Sequence, residues 1–134
     1  MVQWHGRSNR KSTGGKYHSH RKKRKGELGR HFGETKQGDT RRKLIRTRGG
    51  NRKVRLTQEK FVNVTSPDGK TQKVEILEVL DNPADRNFAR RKVMTSSAII
   101  KTSLGTARIT SRPGQSGVLN AIVIETPTKA SKKK

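Results

Sequence analysis

Apolar and polar residues alternate along several short stretches between residues 52 and 126. Alternation with a period of two predicts strands, because successive side chains of a strand point to opposite faces. The predicted strands are Arg52–Thr57, Phe61–Val64, Gln72–Leu80, Lys92–Thr95, Ala98–Thr102, Thr106–Ser111 and Val118–Thr126. Glu75 and Glu78 leave a helical alternative for residues 72–80, but the Val and Ile residues and the flanking turns favour a strand.

Turn sequences separate these strands, as in Ser66–Gly69, where glycine supplies a positive φ. Ser103–Gly105 predicts a hairpin, Arg86–Arg91 predicts one helical turn, and Arg112–Gly117 predicts a loop. We therefore predict a mainly β fold: a small closed or near-closed antiparallel β-barrel with a long, basic, extended N-terminal arm. Closure is favoured because it removes exposed strand edges.

The expected barrel core consists of aliphatic residues on the predicted strands. They are Val54, Leu56, Val62, Val64, Val74, Ile76, Val79, Val93, Ile99, Ile109, Val118, Ile122 and Ile124.

The first 53 residues contain few apolar residues and much positive charge. They hold 18 Lys and Arg against three acids, and apart from Met1 their apolar residues number seven. Burying seven side chains releases far less free energy than ordering 53 residues costs in conformational entropy. We expect this half to be extended or disordered until a partner orders it.

The whole chain of 134 residues has a formal net charge of +23, so a polyanionic partner is expected. Nucleic acid is the first candidate, and an anionic membrane surface or an acidic protein is the alternative. The chain has no cysteine, which excludes disulfides and thiolate metal sites. The sequence lacks a long apolar run, which predicts a soluble, intracellular chain without a membrane partner.

Catalysis and metal binding are poorly supported. The acids Glu75, Glu78, Asp81 and Asp85 are close in sequence, but carboxylates on strands and turns are usually solvated or paired with lysines. His18 and His20 lie among cations without an acidic ligand nearby, which disfavours a metal. We expect no enzyme activity, no catalytic residue, no metal, no cofactor and no small-molecule substrate.

Two clusters of basic residues, Arg21–Lys25 and the cations between Arg41 and Arg55, predict a nucleic-acid interface together with the glycines near them. Arg binds phosphate bidentately, and small residues let the backbone approach it. Trp4 is a candidate for stacking on an unpaired base, as is Tyr17, although either could anchor the arm instead. The predicted RNA-binding residues are Trp4, Arg7, Arg10, Lys11, Gly14, Gly15, Lys16, Arg21, Lys22, Lys23, Arg24, Lys25, Arg30, Arg41, Arg42, Lys43, Arg46, Arg48, Gly49, Gly50, Asn51, Arg52, Lys53, Arg55, Arg90, Arg91, Lys92 and Arg112.

The kind of nucleic acid follows from what the sequence lacks. It has no helix–turn–helix, zinc-finger or basic-zipper pattern, and residues 16–30 have too few apolar positions for a membrane-surface helix. Gly49-Gly50-Asn51 does not match a P-loop, because a predicted strand follows. A long basic arm on a small barrel suits irregular folded RNA, whose crevices an extended chain can enter. Gly49 and Gly50 are expected to form a joint between arm and barrel.

Six segments then carry a resemblance: Trp4–Ser8, Arg10–Lys16, Lys22–Arg30, Arg46–Arg55, Asn82–Arg91 and Thr110–Ala121. By their order and spacing, the chain resembles the archaeal and eukaryotic small-subunit ribosomal protein family numbered eight in the eukaryotic naming. Its short form is similar to the archaeal branch. The resemblance implies a β-barrel body, a long N-terminal extension, binding to small-subunit ribosomal RNA, and no catalysis.

These observations together predict a structural constituent of the small ribosomal subunit, located in cytoplasmic ribosomes. We assign residues 1–46 to a basic RNA-binding extension, residues 47–127 to the barrel, and residues 128–134 to a lysine-rich tail. The expected partners are small-subunit ribosomal RNA and neighbouring ribosomal proteins, without homo-oligomers. The alternatives are an assembly factor for pre-ribosomal RNA and a DNA-compacting protein.

Overall fold

The computed structural model describes residues 3–125, apart from the side chain of Glu125. The predicted lysine-rich tail lies outside this range. The described residues form two compact units, residues 3–32 and residues 33–125. Within residues 3–125, no helix is long and apolar enough to cross a membrane.

The first unit, residues 3–32, is built from hydrogen bonds with little regular structure. Strands β1 (Gln3–Trp4) and β2 (Leu28–Gly29) pair antiparallel, and a single 3₁₀ turn precedes β2. Between them the chain folds back on itself, where the Tyr17 amide donates to the Asn9 carbonyl at 2.9 Å. None of residues 3–32 is buried, so this unit has no hydrophobic core.

The second unit contains a three-stranded sheet and a closed barrel. Its elements are β3 (Lys36–Gln37), β4 (Arg41–Arg46), β5 (Arg52–Glu59), β6 (Phe61–Thr65), β7 (Thr71–Asp81), α1 (Arg86–Arg90), β8 (Ile99–Thr102), β9 (Gly105–Ile109), α2 (Pro113–Ser116) and β10 (Asn120–Glu125). The sheet has the order β3-β5-β4, and the barrel joins β6, β7, β8, β9 and β10 in sequence order. Neighbouring barrel strands are antiparallel except for β10 and β6, which pair parallel and close the barrel.

Alternation along β6 and β7 places aliphatic side chains inside the barrel. Eight predicted core residues are buried: Leu56, Val62, Val64, Val74, Ile76, Val79, Val93 and Ile109. The small residues Ala107 and Ala121 are also buried, opposite Ile100 and Ile109 on the neighbouring strands. Large and small side chains thus face each other in a five-stranded barrel whose interior is filled. The predicted mainly β fold and barrel closure are confirmed.

Part of the core prediction was wrong. Val118, Ile122 and Ile124 are exposed, whereas Leu119 and Ala121 are buried. The run from Val118 to Ile124 is apolar on both faces, so a shift of one residue exchanges the inner and outer sets. Val54 and Ile99 are only partly buried, and Ile100, Met94 and Ala98 fill the core instead.

Two of the predicted elements also differ from the structure. Lys92–Thr95 is not a strand, because Lys92 has a φ of 53° and only Val93 forms a bridge, to Lys36. The buried Asn82 side chain holds this loop by donating to the Val93 carbonyl at 2.8 Å. The predicted loop at residues 112–117 contains the short helix α2, with Pro113 at its start.

Hydrogen bonds from β3 and the residue before it join the three-stranded sheet to the barrel. The buried Thr35 hydroxyl donates to the Leu56 carbonyl at 2.8 Å, and the Met94 amide donates to the Thr35 carbonyl at 2.8 Å. The Gln37 side chain donates to the Ile76 carbonyl on β7 at 2.6 Å. Sheet and barrel therefore share one packed unit.

Strand β4 lies in the part of the sequence assigned to the N-terminal extension. It pairs with β5 over its whole length, and the compact units divide after Phe32. The predicted boundary after Arg46 separates an RNA-binding extension from the barrel. Because this boundary concerns RNA binding, it stays a prediction.

Candidate nucleic-acid interface

The β4–β5 hairpin is formed by the glycine-containing segment between two runs of basic residues. Its turn closes where the Thr47 amide donates to the Asn51 carbonyl at 2.7 Å. Gly49 and Gly50 have φ values of 74° and 78°, in the left-handed region that side chains with a Cβ adopt at a cost. The two glycines therefore form a hairpin turn that lets two basic strands pair.

Pairing of β4 with β5 places cations directly opposite each other. Lys43 pairs with Arg55, and Arg46 pairs with Arg52, on opposite faces of the two-stranded ribbon. Like charges at paired positions repel, so this arrangement disfavours the isolated hairpin. An anion at the ribbon would relieve that repulsion, and a phosphate accepts hydrogen bonds from both Lys and Arg.

Helix α2 packs against β5, one of the two strands of this hairpin. The Lys53 ammonium donates to the Gln115 side chain at 2.9 Å. Gly117 ends α2 with a φ of 70°, and a Cβ at this position would lie 2.7 Å from Val54 Cγ1. This close approach requires glycine and lets α2 pack against β5; Arg112 is the residue immediately before α2.

The predicted residues at the end of α1 are engaged within the protein. Arg91 forms an ion pair with Glu34, which also contacts Lys36 at 3.6 Å. The Lys92 ammonium donates to Glu78 at 2.9 Å, and this hydrogen bond holds the pKa of the Glu78 carboxyl below its ordinary value. Arg90 is exposed at the last turn of α1. The structure thus places these cations on a separate element from the hairpin.

The remaining predicted residues all lie in the first unit and are exposed or nearly so. They are Trp4, Arg7, Arg10, Lys11, Gly14, Gly15, Lys16, Arg21, Lys22, Lys23, Arg24, Lys25 and Arg30. Arg10 and Lys16 form a β-bridge around a tight loop, and the Arg10 guanidinium donates to the Gly14 carbonyl at 2.9 Å. This local folding concentrates positive charge on a short length of chain. Contact of these residues with RNA stays a prediction.

Glu27 is the single acidic residue among residues 3–32, and it organises the basic cluster before β2. Its carboxylate accepts a hydrogen bond from the Arg21 guanidinium and another from the Arg24 amide, the latter at 3.3 Å. The Arg21 hydrogen bond, and then the Arg24 amide, hold the pKa of Glu27 below its ordinary value. The carboxylate therefore stays ionised and fixes the loop formed by residues 21–27.

Aromatic contacts add Tyr17 to the candidate site; its sequence position indicated a stacking role, but the predicted RNA-binding residues omit it. The Arg7 guanidinium lies 3.8 Å from the centre of the Tyr17 ring, in the first unit. Tyr17 is the only tyrosine of the chain and lies in a segment almost free of apolar residues. Its isolation there is the feature of the sequence that indicates a stacking role. In the barrel, Lys73 lies 4.8 Å from the Phe61 ring centre, outside the predicted interface.

The histidines in this basic region do not assemble a metal site with acidic ligands. Among residues 3–125, no three His, Asp or Glu side chains come together to hold a metal ion. His5 instead packs against β2, where a Cβ at Gly29 would lie 2.2 Å from its Nε2.

Comparison with known proteins gives consistent results over nearly the whole chain. The pattern of the family described as Ribosomal protein S8e matches residues 4–124. The chain is 51% identical to small ribosomal subunit protein eS8 of Methanosarcina barkeri, over 92% of this chain and 100% of that protein. It is 54% identical to the eS8 protein of Methanococcoides burtonii, with the same coverage, and 48% identical to that of Methanoculleus marisnigri, over 92% and 99%.

Proposed function

The chain belongs to the ribosomal protein S8e family, and from this premise we propose that it fixes small-subunit ribosomal RNA in one tertiary arrangement. The family is one of structural, non-enzymatic ribosomal proteins, so the chain is a constituent of the small ribosomal subunit. It associates there with ribosomal RNA and other ribosomal proteins. Membership of this family disfavours the two alternatives, an assembly factor and a DNA-compacting protein.

The β4–β5 hairpin is the first proposed contact with RNA, and one observation carries it: Lys43 and Arg55 are directly opposite each other. Residues 41–55 hold eight Lys and Arg and no acid. Protein stability alone gives no reason to concentrate repelling charges on paired strands. Binding to a phosphate backbone gives a reason for this arrangement, because the backbone supplies negative charges at regular spacing that cations on both faces of a ribbon can contact.

The segment of residues 3–32 is the second proposed contact. It carries ten Lys and Arg against one acid, and it buries none of its residues. Because the unit is without a core, RNA is expected to supply the free energy that keeps its backbone ordered. Extended basic segments suit folded RNA, where phosphates of several strands line a single crevice.

Salt dependence of binding tests the electrostatic part of this proposal. Binding of the full chain to purified small-subunit ribosomal RNA is measured by filter retention over a series of salt concentrations. About ten phosphate contacts give a slope of log affinity against log salt of about −7 to −9. A slope near zero would contradict phosphate binding.

A pair of double variants tests the hairpin against total charge. Lys43→Gln with Arg55→Gln removes the opposed pair, whereas Lys70→Gln with Lys73→Gln removes the same charge from the β6–β7 hairpin, outside the predicted interface. We expect the first variant to lower RNA affinity and to reduce the salt slope by about 1–2, since each phosphate contact contributes about one. Equal losses in both variants would show that binding depends only on net charge.

A further inference from the structure

A cleft of about 300 Å³ opens in the surface of residues 3–32. This volume is at the lower end of the range for small-molecule sites, about 300–1,000 Å³, and suits a ligand of nucleotide size. Its lining includes Trp4, Tyr17, Arg7, Arg21 and Lys23. Flat aromatic rings and cations therefore border the same space.

The two aromatic rings of the cleft each carry a cation against them. The Lys23 ammonium lies 5.3 Å from the centre of the Trp4 ring, and the Arg7 guanidinium lies 3.8 Å from that of Tyr17. Trp4 is 42% exposed and Tyr17 is 39% exposed, so neither ring is packed into a core. An exposed ring beside a cation can receive a stacked base while the cation binds the phosphate attached to it.

The charge of the lining is strongly positive, because its single acid is already engaged. Glu27 accepts hydrogen bonds from the Arg21 side chain and the Arg24 amide, and its carbonyl accepts from the His5 amide at 2.7 Å. Glu27 thereby ties the loop of residues 21–24 to the residue after β1. The carboxylate pairs with Arg21 and shapes the cleft, while Arg7 and Lys23 lie against the aromatic rings, where they can attract an anion.

We propose that this cleft holds one unpaired nucleotide of ribosomal RNA, with its base stacked on Trp4 and its phosphate beside Lys23 and Arg7. This inference rests on the proposed function and adds the class of RNA element that the N-terminal segment recognises. A paired base cannot enter, because its faces are covered by its neighbours in the helix. The segment therefore selects a bulge, loop or single strand over a continuous duplex.

The chain carries its own reporter for this test, because Trp4 is its only tryptophan. The full chain is titrated with a single-stranded oligouridylate of about eight nucleotides, within the range for single-strand sites. A fully paired RNA duplex with the same number of phosphates serves as the comparison. Anisotropy of a dye on each RNA measures binding, and Trp4 emission measures stacking.

We expect the single strand to quench Trp4 emission at saturation and the duplex to bind without quenching. Trp4→Leu should weaken single-strand binding by about 5- to 150-fold, the range for loss of one stacked base, and Tyr17→Leu should weaken it less, because it removes only the ring against which Arg7 lies. Duplex affinity should change by less than about 2-fold, because it depends on phosphate contacts. Phe61→Leu is the matched control, since Phe61 is also an exposed ring beside a lysine but lies on β6.

The outcomes separate this inference from the function on which it rests. Binding of both RNAs without quenching, with equal losses in the Trp4 variant and the Phe61 variant, would overturn the cleft assignment and leave RNA binding intact. Failure of the unchanged chain to bind small-subunit ribosomal RNA would overturn the proposed function and the cleft with it. The quenching measurement uses the natural chain, so it holds even if a variant folds poorly.

Discussion

Residues 3–32 and residues 33–125 are both basic, yet different forces hold them in place. The first carry ten Lys and Arg against one acid and bury nothing, whereas the second carry 19 against nine and bury an aliphatic core. The first unit relies on exposed hydrogen bonds, among them the ion pair between Arg21 and Glu27. Such contacts contribute little net free energy in water, because water competes for the same groups.

This difference indicates how positive charge is accommodated in the molecule. In the barrel unit, a packed core lets repelling cations such as Lys43 and Arg55 occupy paired positions. In the first unit, no core offsets the repulsion, so its order is expected to depend on a polyanion. The two units would then bind RNA in different ways, one as a preformed ribbon and the other as a segment that orders on binding.

Truncating one side chain in each unit should give the largest contrast. Ile76→Ala removes a side chain that is 1% exposed in the barrel, and its expected cost is about 2–5 kcal/mol of unfolding free energy. Leu28→Ala removes a side chain that is half exposed in the first unit, and the expected change is within about 0.5 kcal/mol. Urea unfolding of the full chain, followed by far-ultraviolet circular dichroism, measures both. Similar costs would contradict the absence of a core in residues 3–32.

Sequence patterns predicted the barrel well wherever alternation was unambiguous. Strands β6 and β7 lie within one residue of their predicted bounds, because only one face of each is apolar over Val62, Val64, Val74 and Ile76. Strand β10 has apolar residues on both faces and a shift of register between Val123 and Glu125, so its inner face could not be chosen locally. Non-local pairing with β9 and β6 sets that register.

The candidate site was predictable in composition but not in arrangement. The basic residues 41–55 were evident from charge alone, yet β4 has almost no alternation and forms through pairing with β5. The pairing of Lys43 with Arg55 follows from that register. The cleft likewise joins Trp4, Tyr17 and Lys23, which are far apart in sequence. Local patterns carry no information about such contacts.

The hairpin turn gives the next largest effect and separates turn strain from RNA binding. Gly49→Val with Gly50→Val places two branched side chains at positive φ, at a cost of about 1–2 kcal/mol each. We expect the tip of the hairpin to open and RNA affinity to fall, while the barrel keeps its circular dichroism spectrum. Filter binding to small-subunit ribosomal RNA measures the loss.

Gly69→Val is the matched control for this turn. Gly69 has a φ of 80° in the turn between β6 and β7, and nothing lies within 4 Å of a Cβ at this position. This variant should lose stability with RNA affinity unchanged. If both turns lowered RNA affinity equally, the β4–β5 hairpin would have no special part in binding.

A smaller effect is expected where α2 packs on β5. Gly117→Ala puts a Cβ 2.7 Å from Val54 Cγ1 at a positive φ, with an expected cost of about 1–3 kcal/mol. Gly114→Ala, in the same helix, has open space around its Cβ and should be neutral or slightly stabilising. Adding Val54→Ala to Gly117→Ala should recover part of the loss. The urea midpoint of unfolding is measured for each variant. Equal midpoints for Gly117→Ala and Gly114→Ala would contradict the close approach of α2 to Val54.

The smallest expected effect is a pH dependence confined to the first unit. The hydrogen bond from Arg21, and then that from the Arg24 amide, lower the pKa of Glu27 below its ordinary value of 4.5. A carboxyl with a lowered pKa in the folded state stabilises that state above its unfolded pKa, and the contribution disappears as pH falls through the folded pKa. Glu27 should therefore remain ionised between about pH 8 and pH 5 and cause no change in Trp4 emission there. Its protonation below about pH 4 should change the emission.

Two variants isolate this carboxylate from every other titrating group in the chain. Glu27→Gln should alter Trp4 emission already at neutral pH and remove the acid transition, because the loop of residues 21–24 loses its anchor. Glu78→Gln is the matched control, since the pKa of Glu78 is also lowered, by Lys92, but in the barrel unit. The Trp4 emission of Glu78→Gln should match that of the unchanged chain at every pH, including the acid transition of Glu27. An acid transition that persists in Glu27→Gln would show that a group other than Glu27 stabilises the cleft. The barrel would still be stabilised by its core, but the first unit would not be stabilised by this carboxylate.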